Sequence, residues 1–224
     1  MPMSHGHPSS RPIATVRGFT LIELLIVIAI LGVLAAAFLP DLLGAKETAN
    51  EATTLANLQR LASGCESFER KHGFYPPDDF ADPENKLQLK SDNGANTGIE
   101  SLVAFLSQSV ADGQDLSDMA QRLSNTDNDS NEILLPLLSR KDRVEVADEW
   151  GTPLCYFSKT TKNLGFDKPQ QVALAGGDGL RLTAKALRNA DGMPLGGRKF
   201  QLLSAGRDQV FGTEDDLSWP QKGQ

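Results

Sequence analysis

The sequence predicts an α+β fold: one long amino-terminal helix packed on a small antiparallel β-sheet, with loop-rich insertions between them. Three observations predict it. An almost unbroken apolar run from Gly18 to Leu39 leads into a stretch whose apolar residues recur every three or four positions as far as His72. Farther on, short apolar runs are separated by turns that carry glycine. After Tyr75 roughly 150 residues remain, enough for one small domain with its own core.

Residues 1–18 hold Arg11, Arg17, three prolines, and His5 and His7, without hydrophobic periodicity. They read as a leader and not as a folded element, and two histidines in such a segment read as incidental and not as a metal site. From Phe19 the apolar run is about 21 residues, or roughly 31 Å of helix, enough to cross the hydrocarbon core of a bilayer. Its one carboxylate is Glu23. An ionised side chain is costly at that depth, which points to a functional partner for it. Thr20 and Glu23 also have the spacing of a capping box, in which the hydroxyl and the carboxylate satisfy free amides at a helix start. Arginines before the run, set against Asp41, Glu47 and Glu51 beyond it, favour an amino end in the cytoplasm. An ordinary secretory signal is the competing reading, with Ala35-Ala36-Ala37 as its small-residue cleavage site and a soluble chain beginning at Phe38. Such a signal has a shorter apolar core and no glutamate.

Pro40 would normally end or kink a helix, since it lacks an amide donor and clashes with the preceding turn. Here Ala52, Leu55, Leu58, Leu61 or Ala62, Cys65 and Phe68 continue the helical spacing beyond it, with polar residues between them. One helix is therefore expected from the apolar run to about His72, where Gly73 stops it. His72 suits the negative end of the helix dipole, which leaves it a poor catalytic candidate. Cys65 lies on the apolar stripe. Together with Cys155 it reads as a pair of buried thiols, or as a bridge closing a loop of about 90 residues.

Residues 76–145 are less informative. Asp78–Asp82, Ser91–Gly98 and Ser124–Asn131 read as loops, and Ile99–Ser109 and Ile133–Leu138 as short helices. Asp127-Asn128-Asp129-Ser130-Asn131-Glu132 is rich in oxygen ligands but lacks the glycine and the distant glutamate of an EF-hand, so it reads as a solvated loop. In Asp148-Glu149-Trp150-Gly151-Thr152-Pro153-Leu154-Cys155-Tyr156, glycine and proline mark a turn beside an aromatic anchor. Leu154–Ser158, Gln171–Ala175 and Lys199–Leu203 read as strands, with turns at Gly176–Gly179 and Gly196-Gly197. The first of these turns lacks the spacing of a dinucleotide fingerprint. Near the carboxy terminus, Asp208, Asp215 and Asp216 gather three carboxylates in a glycine-containing stretch. Crowded acids repel one another, and a hard dication relieves this by accepting oxygens from a flexible loop. An acidic solvated turn, with Arg207 neutralising one acid, is the alternative.

A formal net charge of −7 argues against a nucleic-acid surface. With no histidine constellation to pair a nucleophile with a base, the chain is expected not to be an enzyme.

Gly18-Phe19-Thr20-Leu21-Ile22-Glu23-Leu24 resembles the processing site of type IV pilins and of the pseudopilins of type II secretion. The stretch from Asp148 to Tyr156 is similar to the Asp-Pro-Trp-Gly-x-Pro-Tyr-x-Tyr signature of major pseudopilins, departing from it at Glu149 and Leu154. Leu203–Asp208 with Gly212–Leu217 resembles the calcium loop of the same family. The resemblance spans about Gly18–Pro76 and Asp148–Trp219 and implies a pilin-like fold. Its parts would be a leader at 1–18, a membrane and filament-core helix at 19–39, an amphipathic continuation at 40–75, and a globular domain at 76–224 with an insertion at about 80–145. It implies cleavage between Gly18 and Phe19 by a prepilin peptidase that also N-methylates Phe19. In the filament, Glu23 would pair with the terminal ammonium of a neighbouring Phe19, setting subunit register more than adding stability. Calcium would be held by Asp208, Asp215 and Asp216, with the carbonyls of Ala205 and Thr213 as further ligands. The implied protein is a single-pass inner-membrane subunit with a periplasmic carboxy-terminal domain. Its partners would be copies of itself, minor pseudopilins, and an inner-membrane assembly platform with its ATPase; nucleic acid would not be among them. A type IV pilus subunit for adhesion or motility shares the amino-terminal features.

Overall fold

The computed structural model describes residues 18–81, 83, 92–108, 116–135, 137–160, 164–176, 179–197 and 199–222. The expected leader up to residue 17, parts of the insertion, and Gly177 and Asp178 of the expected turn lie outside the described residues. Helix α1 (Leu21–His72) is 52 residues long and runs through position 40, where proline removes one amide from its ladder. Contacts divide the chain into Met1–Ala45 and Lys46–Gln224.

In the first unit the large apolar side chains from Phe19 to Leu43 are exposed, with Phe19 at 81%. A continuous apolar surface of this extent marks a face meant for lipid or for another protein. By length and composition α1 is able to cross a membrane.

The second unit has its core where the amphipathic part of α1 meets the sheet. Leu58, Leu61, Ala62, Cys65 and Phe68 are buried along one stripe, as their three-and-four spacing dictates. They pack with Ile99, Leu102 and Leu106 of α2 (Thr97–Leu106) and with Tyr156, Phe200 and Leu202. A 3₁₀-helix follows at Leu116–Arg122. The strands are β1 (Leu123–Ser124), β2 (Ser130–Leu135), β3 (Arg140–Asp142), β4 (Glu145–Val146), β5 (Cys155–Ser158), β6 (Gln170–Ala173), β7 (Arg181–Ala184), β8 (Phe200–Ser204) and β9 (Leu217–Trp219).

The central sheet has the order β5-β8-β9 and is antiparallel throughout. Cys155 pairs with Leu203 and Ser158 with Phe200, while Leu202 pairs with Trp219. Successive residues of a strand point to opposite faces. Tyr156, Phe200 and Leu202 therefore face the helices, and Cys155, Phe157 and Leu203 form a second cluster with Val172 of β6 and Ala184 of β7. The β6–β7 hairpin thus covers the face that α1 leaves open. Strands β1 with β4, and β2 with β3, form two further small antiparallel pairs.

Three expectations are corrected. Ile133–Leu138 does not form a helix: Ser130–Leu135 is a strand, pairing Ser130 with Asp142 and Leu135 with Arg140 around a turn with positive φ at Ser139. So short an apolar run has no periodicity of its own, and its cross-strand partner decides its state. Thr97 and Gly98, expected in a loop, open α2. The segment Asp127–Asp129 is not a solvated loop, because Asp127 and Asp129 are partly buried and Asp129 lies against Arg143. Cys65 and Cys155 are free, buried thiols that belong to the two different clusters. Burial raises the pKa of both.

Candidate functional site

At the amino end the capping box forms. The Thr20 amide and hydroxyl lie 2.9 and 2.8 Å from Glu23 Oε2, and the Glu23 amide donates to Thr20 Oγ1 at 3.3 Å. Phe19 is exposed, and a Cβ added at Gly18 would meet nothing within 4 Å. As a carboxylate that accepts several hydrogen bonds, Glu23 keeps acceptor capacity beyond the cap.

The aromatic turn is a junction. Asp148 is buried, and its Oδ1 accepts the amides of Trp150 (3.0 Å) and Thr152 (2.9 Å) while Oδ2 accepts the Ser204 hydroxyl at 2.7 Å. Burial raises the Asp148 pKa, and these bonds oppose the shift. Trp150 Nε1 donates to Glu47 Oε2 of α1 at 2.9 Å, and the Trp150 carbonyl accepts Gln209 Nε2 at 2.9 Å. One turn is thus fastened to the helix on one side and to the carboxy-terminal loop on the other.

That loop folds back on itself around Asp215. The Asp208 amide donates to Asp215 Oδ2 at 3.0 Å, and the Thr213 hydroxyl is 2.6 Å from Asp215 Oδ1, a bond that lowers the Asp215 pKa. A Cβ on Gly206 would come within 2.3 Å of the Asp215 carbonyl oxygen, so only glycine fits this approach. Asp216 Oδ2 accepts the Gly212 amide at 2.8 Å, whereas its buried Oδ1 has no hydrogen-bond partner among the described residues. Lys222 Nζ donates to the Thr213 carbonyl at 3.2 Å, which puts an ammonium beside an expected cation ligand. The donor set is all oxygen, with one buried carboxylate oxygen unpaired, which is the chemistry calcium takes, but Asp208, Asp215 and Asp216 do not each bring an oxygen within 4.8 Å of the others.

A second acidic group joins Asp129, from the oxygen-rich segment that the sequence suggests is a solvated loop, to Asp92 and Glu100. Oxygens of Asp92, Glu100 and Asp129 lie within 4.8 Å of one another. Asp92 precedes α2, Glu100 is on it, and Asp129 lies between β1 and β2. Arg143 Nη1 is 3.1 Å from Asp92 Oδ1 and 3.5 Å from Asp129 Oδ2. Burial, and then the neighbouring acids, push the Glu100 carboxyl up to about 11.

With the amino-terminal geometry in place, comparison with known proteins identifies its motif. Residues 14–39 carry a prokaryotic N-terminal methylation motif. This motif takes in Gly18, Phe19 and Glu23 and ends at Leu39. Over 60 residues the chain is 40% identical to a type II secretion system core protein G of Pectobacterium carotovorum subsp. carotovorum, covering 27% of this chain and 38% of that one. The same-named protein of Escherichia coli (strain K12) is 32% identical over 87 residues, 39% of this chain and 48% of its own. A type IV major pilin protein of Myxococcus xanthus (strain DK1622) is 32% identical over 114 residues, 51% of this chain and 50% of its own. The chain thus spans half or less of the length of these curated relatives. No solved structure matches it.

Proposed function

We propose that this chain is a pseudopilin, a non-enzymatic filament subunit of a type II secretion system that helps drive export of folded proteins. The observation that carries this reading is the junction at Trp150, which ties α1 through Glu47 to the carboxy-terminal loop through Gln209. It couples the amphipathic part of α1 to the loop that resembles a calcium site.

In this reading the peptidase cuts between Gly18 and Phe19 and methylates Phe19. The exposed apolar part of α1 waits in the inner membrane, with the remainder of the chain in the periplasm. An assembly platform and its ATPase then draw the subunit out, and packed helices of neighbouring copies replace lipid around Phe19–Leu39. Glu23 meets a neighbour's terminal ammonium, matching the two charges where low dielectric makes an unpaired one costly. Asp208, Asp215 and Asp216, with the Ala205 and Thr213 carbonyls, hold calcium. When bound, calcium there would offset the charge of these acids.

Mass spectrometry of the native protein is expected to find a chain beginning at N-methylated Phe19, and a chain beginning at Met1 or Phe38 contradicts the processing step. A deletion strain is expected to lose exoprotein secretion while keeping surface pili. The opposite pattern selects a type IV pilus subunit, the second reading, which the similarity to the Myxococcus xanthus pilin favours.

A further inference from the structure

We propose that Asp92, Glu100 and Asp129 form a site for a hard dication of the calcium class, separate from the carboxy-terminal loop. The starting point is Glu100. It is 1% exposed, on the buried helix α2, and neither of its carboxylate oxygens has a hydrogen-bond partner among the described residues. An isolated carboxylate costs several kcal/mol to bury even after relaxation, so such a group is either neutral or matched by a charge outside the fold. Its surroundings are acidic. Asp92, Asp127, Asp129 and Glu145 all raise the energy of its charged form. Arg143, itself 1% exposed and stacked 4.4 Å from the Phe80 ring centre, pairs with Asp92 and Asp129. One guanidinium among five carboxylates leaves an excess of negative charge.

The geometry suits a shared ion. Oxygens bound to calcium at about 2.3–2.6 Å sit at most about 5 Å apart across the sphere, and the three chosen oxygens lie within 4.8 Å of one another. Both oxygens of Asp127, Asp129 Oδ1 and Glu145 Oε2 are also buried without partners among the described residues. Asp127 and Glu145 lie outside the three-oxygen group but add to the negative charge around it. With no nitrogen or sulfur in the set, soft metals are disfavoured. A cation here joins the start of α2, its buried face and the β1–β2 connection, which are separate in sequence.

The test uses the full chain in detergent, stripped with chelator and titrated with calcium alone by calorimetry. The background is Asp215→Asn with Asp216→Asn, so that uptake by the carboxy-terminal loop does not contribute. Calcium is expected to bind in that background and to raise the melting temperature. Glu100→Gln and Asp129→Asn are each expected to weaken this binding at least tenfold and to abolish the rise, while melting no lower than their parent in chelator. Absence of binding in the background overturns the proposal, as does unchanged binding in both variants. If Glu100→Gln does not fold, Asp129→Asn, whose side chain is 13% exposed, decides by itself.

Discussion

At Gly98 a single methyl group decides the packing of α2 on the sheet. A Cβ there would stand 2.2 Å from the Tyr156 carbonyl oxygen and 2.3 Å from Gln170 Oε1. In a free helix alanine is favoured over glycine by about 1 kcal/mol, but overpacking costs about 1–3 kcal/mol and here the obstacle is backbone. Gly98→Ala is expected to lower the melting temperature by several degrees, and an unchanged or higher value contradicts the close approach. The Trp150 indole makes a smaller contribution: Trp150→Phe loses the bond to Glu47 and is expected to cost about 0.5–1.5 kcal/mol in denaturant titration. Glu23 was legible as special because it interrupts an apolar run. Glu100 interrupts one too, between Ile99 and Leu102, but its partners Asp92 and Asp129 lie on other segments that only the folded chain brings to it.

The amphipathic part of α1 was readable because its spacing persists over many turns, and the same stripe predicts what substitution does. Leu61, fully buried between α2 and the sheet, is expected to lose about 2–5 kcal/mol of stability on change to alanine, against little effect at exposed Glu66. Both would be read from the urea midpoint. Strands β5 and β8 were legible as apolar runs bounded by turn residues, because both their faces are covered. Strand β7 was not, since its solvent-facing positions are polar, nor was β9, which is only three residues long. β2 was misread for the reason its pairing with β3 reveals: position in the sheet overrode local pattern.

Taken together, the two contact units make separate demands on solvent. The chain from Lys46 to Gln224, expressed without the apolar helix, is expected to be soluble without detergent and to melt cooperatively, and a detergent requirement contradicts that division. Its response to pH follows from the acids around α2. Burial first, and then mutual repulsion, push Glu100 up to about 11 and Asp129 to about 7, while burial opposed by the Thr126 bonds leaves Glu145 at about 7. The folded state therefore holds protons that the unfolded chain releases at about 4–4.5. In chelator, stability is full below that range and is lost as pH rises through 7, so the melting temperature is expected to fall between pH 5 and pH 8. A rise over this interval contradicts the assignment, and saturating calcium is expected to flatten the slope.

The last strand closes the core. Trp219 stacks on Phe200 with ring centres 4.5 Å apart, and its indole donates to Gln59, 160 positions earlier in the chain. During synthesis, then, the early helix waits for this cover until a strand 160 positions farther on has left the ribosome. Chaperone capture or membrane insertion of the nascent amino end has that whole interval in which to act.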